Sequence, residues 1–212
     1  MAGKAAQLGT PVRPRVGVLA FQGDAHAHLA ALSACGAQAC LLRRPDELDQ
    51  LDGVVIPGGE STTIGALAQT FGVFDPLRER ISAGMPVFGS CAGAILLASR
   101  ITDGRPDQHC MAGIDMVVRR NAFGRQVNSF ETWLHVAEIT EPDSEPLLAV
   151  FIRAPWIEHV GADARVLARY DGKIVAVRQG DVLATAFHPE ITGDHRVHQY
   201  FVDIVASRVP AA

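Results

Sequence analysis

Short apolar runs alternate with stretches of helical periodicity through the first hundred residues. Val16 to Phe21 is nearly continuous in apolar side chains, the pattern of a strand covered on both faces. It ends at Gly23. Behind Asp24, a suitable N-cap, Ala25, Leu29 and Leu32 recur at helical spacing until Gly36. Ala39 to Leu42 reads as a second strand and Val54 to Ile56 as a third, cut off by Pro57-Gly58-Gly59. Ile64, Leu67 and Phe71 then repeat as in a helix, and a shorter helix starts at Asp75, with Pro76 at its first position and Leu77 and Ile81 inward. Pro86 to Phe88 is a further buried strand. It runs straight into Gly89-Ser90-Cys91-Ala92-Gly93 and an apolar helix over Ala94 to Ala98.

The second half is richer in strands. Met116 to Val118, Thr132 to Ile139, Ala149 to Ile152, Arg165 to Tyr170, Ile174 to Arg178 and Val182 to Phe187 all qualify. Asp171-Gly172 between two of them signals a tight hairpin. A closing helix spans roughly His195 to Ser207, with Val197, Phe201, Ile204 and Val205 on one face. This order predicts an α/β fold of three layers: a mostly parallel sheet with helices on both faces, extended by antiparallel strands in the second half. Residues 16–207 read as one domain, and residues 1–15, rich in Ala, Gly and Pro without periodicity, as a flexible N-terminal extension.

Composition changes this picture little. A chain of 212 residues, 48% hydrophobic and 20% charged, suits a soluble globular domain. A formal charge of −4 leaves no footprint for nucleic acid or an anionic membrane, which both need clustered Lys and Arg. No apolar run approaches the ~18 residues of a membrane span, and the start lacks the apolar core of a signal peptide. The expected location is the cytoplasm.

The chemistry is concentrated in a few residues. Cysteines stand at 35, 40, 91 and 110 with no C-x-x-C spacing, so neither a zinc ribbon nor a redox pair is indicated. Cys35, Cys40 and Cys110 read as buried, inert thiols. Cys91 differs because of its neighbours. Gly89-Ser90-Cys91-Ala92-Gly93 is the cysteine counterpart of a G-x-S-x-G elbow. A nucleophile on such a strand-to-helix turn stands above the carboxyl ends of the strands, at a helix N-terminus that favours negative charge. The Ala92 N–H is placed to serve an oxyanion.

A thiol nucleophile needs a base, and the base an orienting carboxylate. Of eight histidines, His188 in Phe187-His188-Pro189-Glu190 follows a strand directly. Pro189 drives His188 toward an extended conformation, in which His188 and Glu190 point the same way. His26 and His28 lie two apart on a predicted helix and do not share a face. His195 and His198 share one, but without acidic or cysteine neighbours they make no metal site. His109, His135 and His159 read as ordinary positions, and no metal or cofactor is expected. Pro57-Gly58-Gly59-Glu60-Ser61, between a strand and a helix, lets backbone N–H groups approach a ligand and would supply a second oxyanion donor.

Gly58-Gly59-Glu60-Ser61-Thr62-Thr63, the cysteine elbow and His188-Pro189-Glu190 together resemble the triad-type, class I glutamine amidotransferases. Asn121-Ala122-Phe123-Gly124-Arg125-Gln126, Phe151-Ile152-Arg153-Ala154-Pro155 and the run from Phe187 through Asp194-His195-Arg196 narrow the resemblance to glutaminase subunits of pyridoxal 5′-phosphate synthase. It extends from about Val16 to Val205, with Ser90 standing where that family usually has Thr.

The resemblance implies that Cys91, His188 and Glu190 form a catalytic triad that hydrolyses L-glutamine to glutamate and ammonia. It implies that Gly59, Glu60, Ser61, Arg120, Ile152 and Arg153 bind glutamine, and that the N–H groups of Gly59 and Ala92 hold the oxyanion. An arginine fork suits the glutamine carboxylate because it binds both oxygens. The implied partner is a synthase subunit of (β/α)-barrel type, in a large hetero-oligomer that makes pyridoxal 5′-phosphate from ribose 5-phosphate and glyceraldehyde 3-phosphate. Three other readings stand beside it: a glutaminase feeding a different synthase, an inactive scaffold subunit, and a cysteine hydrolase of peptides or small amides. The last leaves Arg120 and Arg153 without a role.

Overall fold

The computed structural model describes residues 13–104, 108–120, 129–141 and 143–209. The Asn121 to Gln126 segment and most of the expected N-terminal extension therefore lie outside the described residues.

The apolar run at the start forms strand β1 (Arg15–Leu19), followed by helix α1 (Ala25–Ala34), whose N-terminus is capped by the Asp24 side chain accepting from Ala27 N–H at 3.0 Å. Strands β2 (Gln38–Leu42) and β3 (Gly53–Ile56) come next, then helices α2 (Ser61–Thr70) and α3 (Phe74–Ser82), strand β4 (Val87–Ser90) and the short helix α4 (Ala92–Leu97). The second half holds β5 (Ala98–Thr102), β6 (Ile114–Arg119), β7 (Ser129–Leu134), β8 (Leu147–Ile152), β9 (Trp156–Val160), β10 (Arg165–Tyr170), β11 (Lys173–Gln179), β12 (Val182–Thr185) and helix α5 (Arg196–Ala206).

Among the described residues the main sheet runs β2-β1-β3-β4-β12-β11-β9-β6-β5, with β10 paired to β11. The first five strands of that order are mutually parallel; β12–β11, β11–β9 and β9–β6 are antiparallel. Strands β7 and β8 form a separate antiparallel pair. Alternation along each strand sorts side chains to two faces. Val54, Ile56 and Val87 join the core beneath α2, α3 and α4, while Val55, Phe88 and Leu183 join the core under α1, α5 and β7–β8. The three-layer α/β expectation therefore holds. β1 is flanked by β2 on one side and β3 on the other, so the chain switches direction across the sheet there, and ligands of open α/β sheets bind at the carboxyl ends of strands near such a switch.

Several expectations need correction. The apolar helix begins at Ala92 and stops at Leu97, and Ala98 opens β5 instead. β5 and β9 are not anticipated by the sequence pattern; β5 follows an apolar helix without a turn, and β9 has only five residues after a proline. The strand expected to reach Ile139 stops at Leu134, because Thr140 Oγ1 accepts from Val136 N–H at 2.9 Å and closes a turn. Cys40 is exposed, since β2 is the edge strand and Cys40 sits on its uncovered side; Cys35 and Cys110 are half-buried. The Asp171-Gly172 hairpin forms as expected, with both residues at positive φ (48° and 73°) and Tyr170 opposite Lys173.

Phe201 of α5 is fully buried, with its ring 5.9 Å from that of Phe88. Truncating it leaves a cavity between α5 and the sheet. Phe201→Ala should lower the unfolding free energy by about 3–5 kcal/mol, measured by urea denaturation.

Candidate active site

Three strand ends converge. β4 delivers Cys91, β3 delivers the Pro57 to Glu60 loop, and β12 leads into His188. Cys91 has φ 48° and ψ −99°, a conformation costly for any residue with a Cβ. Its N–H donates to Thr185 O at 2.8 Å, which pins the turn to the end of β12. The elbow closes because its glycines carry no side chain. A Cβ on Gly93 would fall on the carbonyl of Ile56, and one on Gly89 would strike the backbone of Gly93. The thiol is buried, with Sγ 3.9 Å from Ile152 O.

His188 stands close enough to Cys91 for the two side chains to interact electrostatically, and its Nδ1 lies 2.7 Å from Glu190 Oε1. The predicted pair therefore forms, but not in an extended segment. Pro189 to Ile191 is a 3₁₀ turn, because proline's fixed φ suits the first position of a helical turn, and the turn folds Glu190 back beneath the imidazole. Burial by itself lowers the His188 pKa; hydrogen bonds and charge from Cys91 and Glu190 raise it, to about 10. Burial would raise Glu190, yet the hydrogen bond from His188 and the His28 imidazole nearby hold it well below the usual carboxylate range. Together the two shifts describe an imidazolium held between a sulfur and a carboxylate.

Gly58 leaves room for the imidazole, since a Cβ there would clash with His188 Cε1. Gly59 has φ 147°, and its missing side chain makes room for Gln22, whose Oε1 accepts from Glu60 N–H at 2.6 Å. Among the described residues, neither the Gly59 N–H nor the Ala92 N–H makes a hydrogen bond.

The Glu60 side chain accepts from the N–H groups of Thr62 and Thr63, capping α2. Burial alone would raise its carboxyl; those N–H groups and the Thr63 hydroxyl bring it down to about 2. Arg120 donates to Glu60 Oε1 at 2.7 Å, to Gln108 Oε1 at 2.7 Å and to Thr62 Oγ1 at 3.2 Å. Ser61 is buried and accepts from Gln108 Nε2 at 2.7 Å. Gly59, Glu60, Ser61, Cys91, Ile95, Arg120, Ile152 and Arg153 line one cleft of about 100 Å³. Each glutamine-binding residue expected from the sequence therefore borders the cleft that holds the cysteine, and Arg120 already has a carboxylate partner.

A sequence profile of the SNO glutamine amidotransferase family matches residues 18–207. The chain belongs to this family. It is 61% identical over 200 residues to a protein of Nocardia farcinica named pyridoxal 5′-phosphate synthase subunit PdxT, covering 92% of this chain and 87% of that one. A protein of the same name from Streptomyces coelicolor is 60% identical over 192 residues, covering 91% and 94%. A crystal structure described as a glutamine amidotransferase superposes with a TM-score of 0.82 at 46% identity, over 90% of this chain and 98% of that one. In fold alone, the chain also matches the structure of PurLQS from Thermotoga maritima, with a TM-score of 0.63 at 18% identity over 91% and 98% of the two chains.

Sequence reasoning passed over four residues that this family member uses to build the site. Gln22 and Gln108 brace the loop and Arg120. His28 and His198 are fully buried below Glu190, not ordinary positions. The signal was present: His28 is three residues from Ala25 and four from Leu32, on the buried face of α1. His195 and His198 do not share a face, because His195 lies outside α5 and is exposed while His198 points inward.

Two tests follow from this geometry. Gly58→Ala should displace the His188 ring and slow alkylation of Cys91 by iodoacetamide about tenfold or more, followed on the Cys91 peptide by mass spectrometry; an unchanged rate would show that the ring does not depend on Gly58. Burial and the nearby His28 depress the His198 pKa to about 3. The folded state thus refuses a proton that the unfolded chain accepts near pH 6.5, so stability falls as pH drops below that value. Between about pH 6.5 and 4.5, above the range where carboxylates titrate, urea-denaturation free energy should decline in the wild type and decline less in His198→Gln.

Proposed function

We propose that this chain is the glutaminase subunit of a pyridoxal 5′-phosphate synthase. The observation that carries the proposal is the shared cleft: Cys91 and the polar residues expected to bind glutamine border one cavity, with His188 and Glu190 aligned behind the thiol. The relatives named as synthase subunits, at 60% identity and above, support the same assignment.

In this mechanism His188, oriented by Glu190, holds the proton and keeps Cys91 as thiolate, whose Sγ attacks the side-chain amide carbon of L-glutamine. The Gly59 and Ala92 N–H groups stabilise the oxyanion of the tetrahedral intermediate, each worth on the order of 3 kcal/mol. His188 hands its proton to the departing ammonia. Water then attacks the γ-glutamyl thioester, His188 accepts one of its protons, and glutamate leaves with the thiolate–imidazolium pair restored.

Substrate recognition falls to Arg120 and Arg153 as cations, with Gly59, Glu60, Ser61 and Ile152 shaping the pocket. Arg120 reaches the substrate carboxylate by exchanging, in part, its bond to Glu60, so glutamine binding and the α2 cap are coupled. No cofactor is assigned. The ammonia passes to a synthase subunit of (β/α)-barrel type in a large hetero-oligomer, which uses it with ribose 5-phosphate and glyceraldehyde 3-phosphate. Residues 16–207 act as one amidotransferase domain, and the expected location is the cytoplasm; no helix among the described residues is long and apolar enough to cross a membrane.

With the synthase subunit present, Cys91→Ala should reduce glutamate release by about 10⁴-fold or more, measured by coupled glutamate dehydrogenase assay. Retention of activity in that variant would overturn the mechanism. Glutamine hydrolysis without pyridoxal 5′-phosphate formation would redirect the ammonia to another acceptor.

A further inference from the structure

The Glu190 carboxylate has two oxygens, and the mechanism above uses one. Oε1 faces His188; Oε2 is buried without a hydrogen bond of good geometry among the described residues, and the group facing it is His28 Nε2 at 3.5 Å. That same His28 nitrogen lies 3.2 Å from the hydroxyl of Ser90, the residue before Cys91. On the other side of the ring, His28 Nδ1 lies 3.0 Å from His198 Nε2. His28, His198 and Ser90 are all fully buried. The chain of groups thus runs from α5 through α1 to the 3₁₀ turn and the elbow.

We infer that His28 is a positioning residue for the reaction: its Nε2–H, directed by His198, holds Glu190 and so fixes the carboxylate that orients His188. The inference rests on the proposed triad chemistry.

Proton placement decides it. With both rings neutral, two arrangements satisfy the 3.0 Å contact between the imidazoles. In one, His28 carries its proton on Nδ1 and donates to His198 Nε2. The bare Nε2 lone pair of His28 then faces a carboxylate oxygen at 3.5 Å, which is repulsive, and His198 must carry its proton on Nδ1. That atom is buried with no hydrogen-bond partner, and orphaned buried N–H groups are rarer and costlier than under-used acceptors. In the other arrangement His198 carries its proton on Nε2 and donates to His28 Nδ1. His28 then carries its proton on Nε2, where it is shared between Ser90 Oγ and the Glu190 carboxylate, and only an acceptor lone pair on His198 is left unused. The second arrangement wins at both ends. The depressed His198 pKa keeps that ring neutral with a single proton.

The two rings have little freedom to leave this arrangement. Phe88 meets His28 edge-on at 6.1 Å and His198 edge-on at 5.8 Å between centroids. A carboxylate with one fixed oxygen can still swing about its other bonds. Fixing the second oxygen removes that swing, and an imidazole bonded to it keeps its angle toward Cys91.

The test has a structural and a kinetic arm. In the full-length chain with ¹⁵N-labelled histidine, ring nitrogen shifts should show protonated Nε2 and bare Nδ1 in both His28 and His198. A proton on His28 Nδ1 would overturn the inference. In the complex with its synthase subunit, His28→Leu should lower kcat for glutamine hydrolysis about 10- to 100-fold with KM changed less than about twofold. His28→Gln, which keeps an amide N–H within reach of Glu190, should recover most of that loss. Equal losses in both variants, or a fall expressed in KM alone, would mark His28 as packing only and overturn the inference. If His28→Leu does not fold, the wild-type tautomers and His28→Gln carry the test. Wild-type protein with the expected tautomers but no glutamine hydrolysis would overturn the proposed function while upholding the placement of His28.

Discussion

A carboxylate cut off from water is the constraint on which this site depends. Glu190 keeps 3% of its side-chain surface exposed, and a charge so placed is costly unless it is paired and hydrogen-bonded. His188 on one oxygen and His28 on the other supply that compensation. The pairing fixes more than charge. Because the two imidazoles come from the end of β12 and from α1, the carboxylate ties a loop at the strand ends to a helix on the sheet's face. The alignment of His188 and the packing of the core are then the same set of contacts.

The elbow imposes the complementary constraint. Cys91 sits at positive φ with its N–H bound to the end of β12, and its flanking glycines pack against β3 and against each other. Strain of this kind persists only where the surroundings over-determine it. Here they do: three parallel strands in register, β3, β4 and β12, leave the turn no alternative course. On the opposite rim, Gln22 and Glu60 fix the glycine loop from β1 and α2. The cleft is formed by backbone held from several directions, which suits a reaction that needs donors aimed at a developing charge.

Much of this was legible in linear order. Continuous apolar runs marked the buried parallel strands, helical spacing marked α1, α2, α3 and α5, and the glycine-flanked cysteine and the His-Pro-Glu run named the two halves of the site. What escaped has physical causes. β5 and β9 are short and lack turn signals at one end, so local pattern cannot separate them from what precedes them. Cys40 is exposed because β2 lies at the sheet edge, and edge position is a property of strand order, which no strand records in itself. Glu190 reaches His188 through a 3₁₀ turn, where proline's geometry fits two local conformations and tertiary packing chose between them.

The amino-acid sequence alone determined the fold class, the chemistry-bearing residue types and the family resemblance, since each depends on periodicity or on residues close together in the chain. The partners of those residues were decided only by tertiary structure. His28 and His198 are 170 positions apart, and Arg120 meets Glu60 across 60. His28, His198 and Arg120 read as ordinary beside their neighbours in sequence. Their roles come from desolvation and from what stands within hydrogen-bonding reach, and both exist only once the sheet has brought the strand ends together.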